Sequence, residues 1–326
     1  MKLYKIFRKT PFFLSASTWM KKEDQPVHSS KTSRKAVIIP ALLMQYGSMR
    51  DKIKAVKHVG PYLKEIFTGM RSSARGVAHN PKTTVKKIDT ATLKELEAYA
   101  SELGISKLSY TKVHPDFIFK DFRILYDNAI ILTMEMRRED MKNNPSEPAT
   151  KEIMRTYAGL GTAVNKIAAF LRARGFSCQA SPAMGGDIMT TPVAEVAGMG
   201  AVGKNGLLIT PEFGPSLRLA AVFVNIDNLP LVTLEDNEHL WIRDFCEICN
   251  KCVRSCPGNA IYEKTKILDD GYPQFIDREK CAPHFSKNCS RCISSCPFFY
   301  GNYEEIKKRY EIQIAKETSE DLSNLN

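Results

Sequence analysis

Most of this 326-residue chain is nearly free of cysteine. Before position 246 only Cys178 occurs, whereas eight cysteines fall between Cys246 and Cys296. That distribution excludes a disulfide framework, which staples small secreted domains along their whole length. Long apolar runs are missing as well. The most suggestive, "AVIIPALLM" from Ala36 to Met44, has nine residues and is broken by Pro40, where a membrane-spanning helix needs roughly 20. The six histidines, His28, His58, His79, His114, His239 and His284, are scattered and form no motif. Acidic residues are scarce in the first 90 positions, with 5 Asp and Glu against 19 Lys and Arg, so that segment carries +14 and the remainder −3. What is present is apolar content of 43%, enough to bury a sizeable core in one large domain or two and to exclude a disordered or fibrous chain.

The basic N-terminal segment points to an anionic partner, either nucleic acid, a membrane surface or an acidic protein, or else to an ordinary solvated face. The opening "MKLYKIFRKTPFFLSASTWMKKE" has a short apolar stretch broken by Ser and Thr and followed by Lys21 and Lys22. It reads as no secretory signal, and Arg8-Lys9 as no twin-arginine signal, so a cytoplasmic location is expected. Leu3, Ile6 and Phe7, set among lysines, suit a membrane surface or a helix packed on the protein body equally.

Further along, Ser72 to Thr84 is polar and turn-rich and reads as a linker. A helix is expected from Thr92, with Glu95 at capping-box spacing and Gly104 to end it. Ala129 to Met136 reads as a buried strand. The strongest helical pattern runs from Thr150 to Arg174, with Ile153, Tyr157, Leu160, Val164, Ile167 and Leu171 on one face before Gly175. Leu217, Leu219, Ala221 and Phe223 alternate as in a half-buried strand, and a polar helix is expected around Glu304 to Thr318.

The cysteines carry the most specific signal. "CEICNKCVRSCP" places Cys246, Cys249, Cys252 and Cys256 in the C-x2-C-x2-C-x3-C-P order of bacterial ferredoxins, and Cys281, Cys289, Cys292 and Cys296 follow with a second Cys-Pro. Three closely spaced thiolates wrap three corners of a cubane, and the cysteine before proline turns away to the other cluster. The expectation is two crossed 4Fe-4S clusters, one on Cys246, Cys249, Cys252 and Cys296 and the other on Cys256, Cys281, Cys289 and Cys292. Two zinc sites are the alternative, but these favour separated C-x2-C pairs and give no reason for a proline after each run. Cys178 reads as a small buried hydrophobe, His284 as a residue tuning or covering a cluster, and Trp241 as packing at a domain junction.

"AGMGAVGKNGLLIT", Ala197 to Thr210, matches two nucleotide motifs in letters only. A dinucleotide fingerprint follows a strand and opens a helix, whereas here a short helix from Pro192 precedes the glycines and a strand at "GLLIT" follows. Asn205 stands where a phosphate loop needs Ser or Thr, so no nucleotide is expected.

The run from Thr191 to Asn225 followed by the double cysteine motif resembles the corrinoid-dependent reductases, meaning the reductive dehalogenases and epoxyqueuosine reductases, and "GKNGLLITPEFGPSLRL" resembles the dehalogenase side more. The resemblance extends from about Thr92 to Pro297. It implies an α/β (α+β) fold, with a nitroreductase-like reduced cobalamin-binding core and a C-terminal bacterial ferredoxin-type module. The expected divisions are a basic segment and linker at 1–88, the core at 89–240, the two-cluster domain at 241–302 and a polar tail at 303–326. The resemblance also implies cobalamin beside the two clusters, with Gly198, Gly200, Gly203, Lys204 and Asn205 approaching the corrinoid. Tyr157 would act as proton donor, with Lys204 as the cation lowering its pKa. Alternatively, Tyr157 is a core tyrosine and Lys204 caps carbonyls or binds a phosphate. The function implied is reductive cleavage of a small organic molecule, fed by reduced ferredoxin or flavodoxin. An electron-transfer or corrinoid-activating protein without its own substrate, and a tRNA-modifying epoxyqueuosine reductase, are the competing readings. Against the last, Met189 occupies the position of that family's aspartate, and Asp187 is near but out of alignment.

Overall fold

The computed structural model describes residues 16–21, 24–29, 49–120, 122–269, 271–285 and 287–324. The readings placed on Leu3, Ile6, Phe7, Arg8-Lys9 and the run Ala36–Met44 lie outside these residues. Among the described residues, no helix is long and apolar enough to cross a membrane.

The fold is mixed α/β. Its centre is a four-stranded antiparallel sheet built from β1 (Lys107–Lys112), β2 (Asn128–Glu135), β3 (Cys178–Ser181) and β6 (Leu217–Val224), in the order β1-β2-β6-β3. Between β3 and β6 the chain forms a small hairpin, β4 (Ala201–Val202) and β5 (Leu208–Ile209). On one face of the sheet, Ile130, Leu132, Ala220 and Val222 pack against α2 (Thr90–Glu102) and α3 (Glu147–Ala173) through Leu96, Leu160, Val164 and Ile167. On the other, Ile131, Ala221 and Phe223 meet the short helix α4 (Thr190–Val196) and its flanking loops. This second cover corrects the expectation of a half-buried β6. Every residue of that strand except Arg218 is buried, because alternation marks one wet face and here both faces are covered.

Helix boundaries follow capping chemistry. The α2 cap is Asp89, not Thr92. Its carboxylate accepts the Thr92 N–H at 2.9 Å and the Thr92 hydroxyl at 2.7 Å, while Glu95 takes Arg174 at 2.7 Å. Likewise α3 begins at Glu147, three residues before the periodic pattern, because the Ser146 hydroxyl caps Ala149 and Pro148 fits the first turn.

The expected linker is also corrected. Ser72–Gly76 completes α1 (Met49–Gly76), and Ser73, Ala74 and Val77 are buried. This helix crosses α3 at a glycine pair, where a Cβ on Gly69 would lie 3.2 Å from the Gly161 backbone. Asn165 secures the crossing, donating to the Gly69 carbonyl and the Ser73 hydroxyl. Beyond it Asn80 accepts from the Cys178 N–H at 3.0 Å, so this polar stretch is fastened to the sheet's edge. Polar composition marked exposure in the sequence, but these polar groups are the fasteners.

After β6 comes the cysteine-rich region. It holds α5 (Trp241–Cys249), α6 (Lys251–Arg254), the hairpin β7 (Ile261–Ile267) and β8 (Pro273–Ile276), then α7 (Arg278–Phe285), α8 (Arg291–Ser294) and α9 (Pro297–Tyr300). Helix α10 (Tyr303–Asn324) closes the described chain.

Candidate iron–sulfur centre and its seat

The eight cysteines of the C-terminal run are free thiols gathered into two groups. Cys246, Cys249, Cys252 and Cys296 line one small cavity, together with Lys204, Asn205, Ile209, Phe245, Phe298 and other residues of the hairpin and helices. Three of these thiols come from α5 and α6, with Asn250 between them in the left-handed conformation (φ 49°), which turns the chain so that Cys252 faces back toward Cys246 and Cys249. Cys296 arrives from the far end of the second motif, at the N-terminus of α9.

Electrostatics separates the groups in the same way. The Cys296 thiol feels those of Cys246, Cys252 and Cys249. Cys281 feels Cys256 and Cys289, and Cys292 feels Cys281, Cys289 and Cys256, with Cys252 as its one neighbour from the first group. Burial pushes Cys246 and Cys292 up to about 12 and Cys281 to about 11, and raises Cys252 and, most strongly, Cys296. Such thiols bind metal only by giving up protons. Among the described residues, no three His, Cys, Asp or Glu side chains converge tightly enough to hold a single metal ion.

The glycine loop faces this centre. The order is a helix, then the hairpin, as the sequence implied, and its turn from Gly203 to Gly206 points at the cysteine-rich region. The Lys204 ammonium, 5% exposed as a residue, donates to Glu247 Oε2 and Asn250 Oδ1, each at 2.9 Å. Asn205 donates to the Cys292 carbonyl at 3.1 Å and accepts the Leu207 N–H. One residue thus holds the first motif and its neighbour the second.

The glycines have reasons within the chain itself. A Cβ on Gly200 would stand 2.1 Å from the Ile209 carbonyl oxygen, one on Gly203 would stand 2.5 Å from the Ile209 side chain, and Gly198 (φ 68°) ends α4. Residues between the expected site positions tie this loop down. The buried carboxylate of Glu195 accepts from Val202 N–H and Arg243, and Asn237 donates to the carbonyls of Glu195 and Gly200. On the other side, Asn144 accepts the Ser290 N–H at 2.8 Å, next to Cys289. Glu195, Asn237, Arg243, Glu247, Asn250 and Asn144 were not legible as site residues, because each has a partner 42 or more positions away, which leaves no local spacing.

Lys204 and Tyr157 are not brought together as a cation and its phenol. Tyr157 is half-buried against the cluster of side chains between α3 and the cysteine region, and the cation over its ring, at 5.1 Å, is Arg218 of β6. Asp187 is buried and its carboxylate accepts from Gln179 at 3.0 Å, while Met189, which carries no acid, donates its N–H to the Phe117 carbonyl. Cys178 is fully buried, donates to the Ala168 carbonyl and is raised by burial to about 11, as a core residue should be. Trp241 stacks on Tyr310 and donates to the Tyr303 hydroxyl, joining α5 to α10.

No family model matches the chain. It is 30% identical over 209 residues to a tetrachloroethene reductive dehalogenase of Desulfitobacterium hafniense, covering 59% of this chain and 36% of that protein. To an epoxyqueuosine reductase of Listeria monocytogenes it is 24% identical over 285 residues, covering 70% of this chain and 71% of the other. Among solved structures, a catabolic reductive dehalogenase in complex with 3-bromo-4-hydroxybenzoic acid shares the fold, with a TM-score of 0.59 and 18% identity over 94% of this chain and 48% of that one. The chain therefore spans about a third of the length of the dehalogenases it matches in sequence. Its homologues are reductive dehalogenases and epoxyqueuosine reductases, and the dehalogenase side is the better matched.

Proposed function

We propose that the chain is an iron–sulfur reductase in which two 4Fe-4S clusters deliver single electrons toward a corrinoid for reductive cleavage of an organic substrate. The observation that carries the cluster reading is the grouping of eight thiols into two sets of four, the first around a shared cavity. Zinc sites favour separated C-x2-C pairs and give no reason for the Cys-Pro that ends each run. A cubane fits the donor set, with Cys246, Cys249, Cys252 and Cys296 holding one and Cys256, Cys281, Cys289 and Cys292 the other. Bound there, the clusters would supply one-electron transfer at low potential. The division into a nitroreductase-like core at 89–240 and a ferredoxin-type module at 241–302 is part of the same reading.

The chain's own residues have definite tasks in it. Lys204 and Asn205 seat the module on the core, and Phe245 and Phe298 keep water from the first cluster. Tyr157, with Arg218 over its ring, remains the candidate proton donor. The corrinoid reading leans on the relatives, one of which has a solved structure described as suggesting a mechanism for B12-dependent dehalogenation. The glycines read as its cradle are taken up by the hairpin, so that loop does not by itself make a corrinoid seat.

The test is anaerobic reconstitution with iron, sulfide and cobalamin. The proposal expects eight irons per chain and a base-off corrinoid spectrum. Eight irons without bound corrinoid would favour the second reading, an electron carrier that serves a separate corrinoid enzyme. A Tyr157→Phe variant then separates the two, since only the reductase loses substrate turnover. The physiological donor on either reading is a small low-potential protein such as reduced ferredoxin or flavodoxin.

A further inference from the structure

The two cysteine groups have unlike surroundings. Around the first, a buried cation lines the cavity, since the Lys204 side chain is 2% exposed, and among the described residues no other Lys or Arg is buried. In the second group the Ala260 N–H donates to Cys256 at 3.3 Å, a neutral donor against a full charge. A reduced cluster carries one more negative charge than an oxidised one. Nearby positive charge and N–H donors therefore favour reduction, and burial strengthens the effect because the local dielectric is low.

We infer that Lys204 holds the Cys246/Cys249/Cys252/Cys296 cluster at a higher reduction potential than the other, and so sets the direction of electron flow. The inference rests on the two-cluster reading above. A low-potential one-electron donor, of the reduced-ferredoxin class, gives one electron to the second cluster. With both clusters bound, that electron would pass on to the first, the one of higher potential. No bond is made and no proton moves in the exchange. Lys204 is a positioning and tuning residue here, because it acts through the cluster's sulfurs and not on a substrate. Its partner Glu247 opposes it. The Glu247 carboxylate lies 2.9 Å from the ammonium with 62% of its side chain exposed, so it neutralises part of the charge from the solvent side.

The test is an anaerobic redox titration of reconstituted full-length protein, followed by electron paramagnetic resonance and paired with an iron count. Wild type should reduce in two separate steps. Lys204→Met keeps the stem that fills the cavity wall and removes the charge. It should lower the upper step by about a tenfold change in the reduced-to-oxidised ratio, or 59 mV for one electron, and move the lower step less. Glu247→Gln should shift the upper step the opposite way. If Lys204→Met fails to hold iron, Glu247→Gln decides alone, since its site is exposed. A rise in the upper step supports the inference, and an unmoved step overturns it. Eight irons with steps that coincide in wild type, or that shift equally in the variants, overturn the inference and leave the clusters standing. Absence of eight irons in wild type overturns both readings.

Discussion

The sheet core and the cysteine-rich region are held together by different physics. Between residues 90 and 224 the chain buries a sheet on both faces, and side chains such as Leu96, Ile130, Leu132, Leu160 and Ile167 have no exposed surface. From 241 to 301 helices α6, α8 and α9 have four residues each, and what they surround is sulfur. Helices that short do not hold themselves together. The core therefore folds on apolar burial, and the proposed clusters would cross-link the thiols of the cysteine region. The seam between them is an apolar cluster, in which Ile153, Met154 and Ile209 pack with Ile242, Phe298 and Phe299, fastened by polar contacts of Lys204, Asn205, Glu195, Arg243, Asn144 and Ser290.

Removing iron from anaerobically reconstituted protein is the strongest way to break this comparison. Hydrogen exchange should rise by roughly a hundredfold or more at amides in 241–301 while those of β2 and β6 stay protected, a local opening of the kind independent folding units show. Equal loss in both regions would contradict it. Next in size, Leu160→Ala empties a fully buried position of α3. It should cost about 2–5 kcal/mol, read by denaturant unfolding, with the iron content of folded protein unchanged.

A third prediction concerns charge inside the core. Burial pushes the Glu152 carboxyl up, but Arg155 and Arg137 outweigh it and hold the group below its ordinary 4.5. Its stabilisation is thus present above about pH 4.5 and is lost as pH falls through the lowered folded value. Glu152→Gln should destabilise the protein by about 2 kcal/mol at pH 7, an amount kept small because Arg137 is 64% exposed. The variant should also flatten the acid limb of a stability profile. The smallest effect belongs to Asp89→Ala, which removes the α2 cap, should lower the unfolding midpoint slightly and should leave the cysteine region's exchange untouched.

These two regions also differed in how far the sequence revealed them. Spacing located the cysteines because an iron–sulfur site is local chemistry with a short repeat, and it located α3 because Ile153, Leu160, Val164, Ile167 and Leu171 line one face. It failed where a cue has two meanings. Alternation in β6 looked like one wet face, yet α4 covers that face through Val193 and Ala194. Turn-rich residues 72–84 looked like a tether, yet Ser73 is buried and Asn80 and Thr84 bind β3 and its lead-in. The glycine loop is the sharpest case. Its letters suggested a cofactor cradle, and its geometry makes it the seat of the cysteine region. No spacing rule links Lys204 to Glu247 or Asn205 to Cys292, which lie 43 and 87 positions apart.

The most direct test of this account is metal content and magnetic resonance on anaerobically purified, dithionite-reduced protein. Eight irons and eight sulfides per chain should accompany a paramagnetic signal broadened by coupling between two neighbouring centres. Zinc in their place, or a diamagnetic reduced protein, would contradict it.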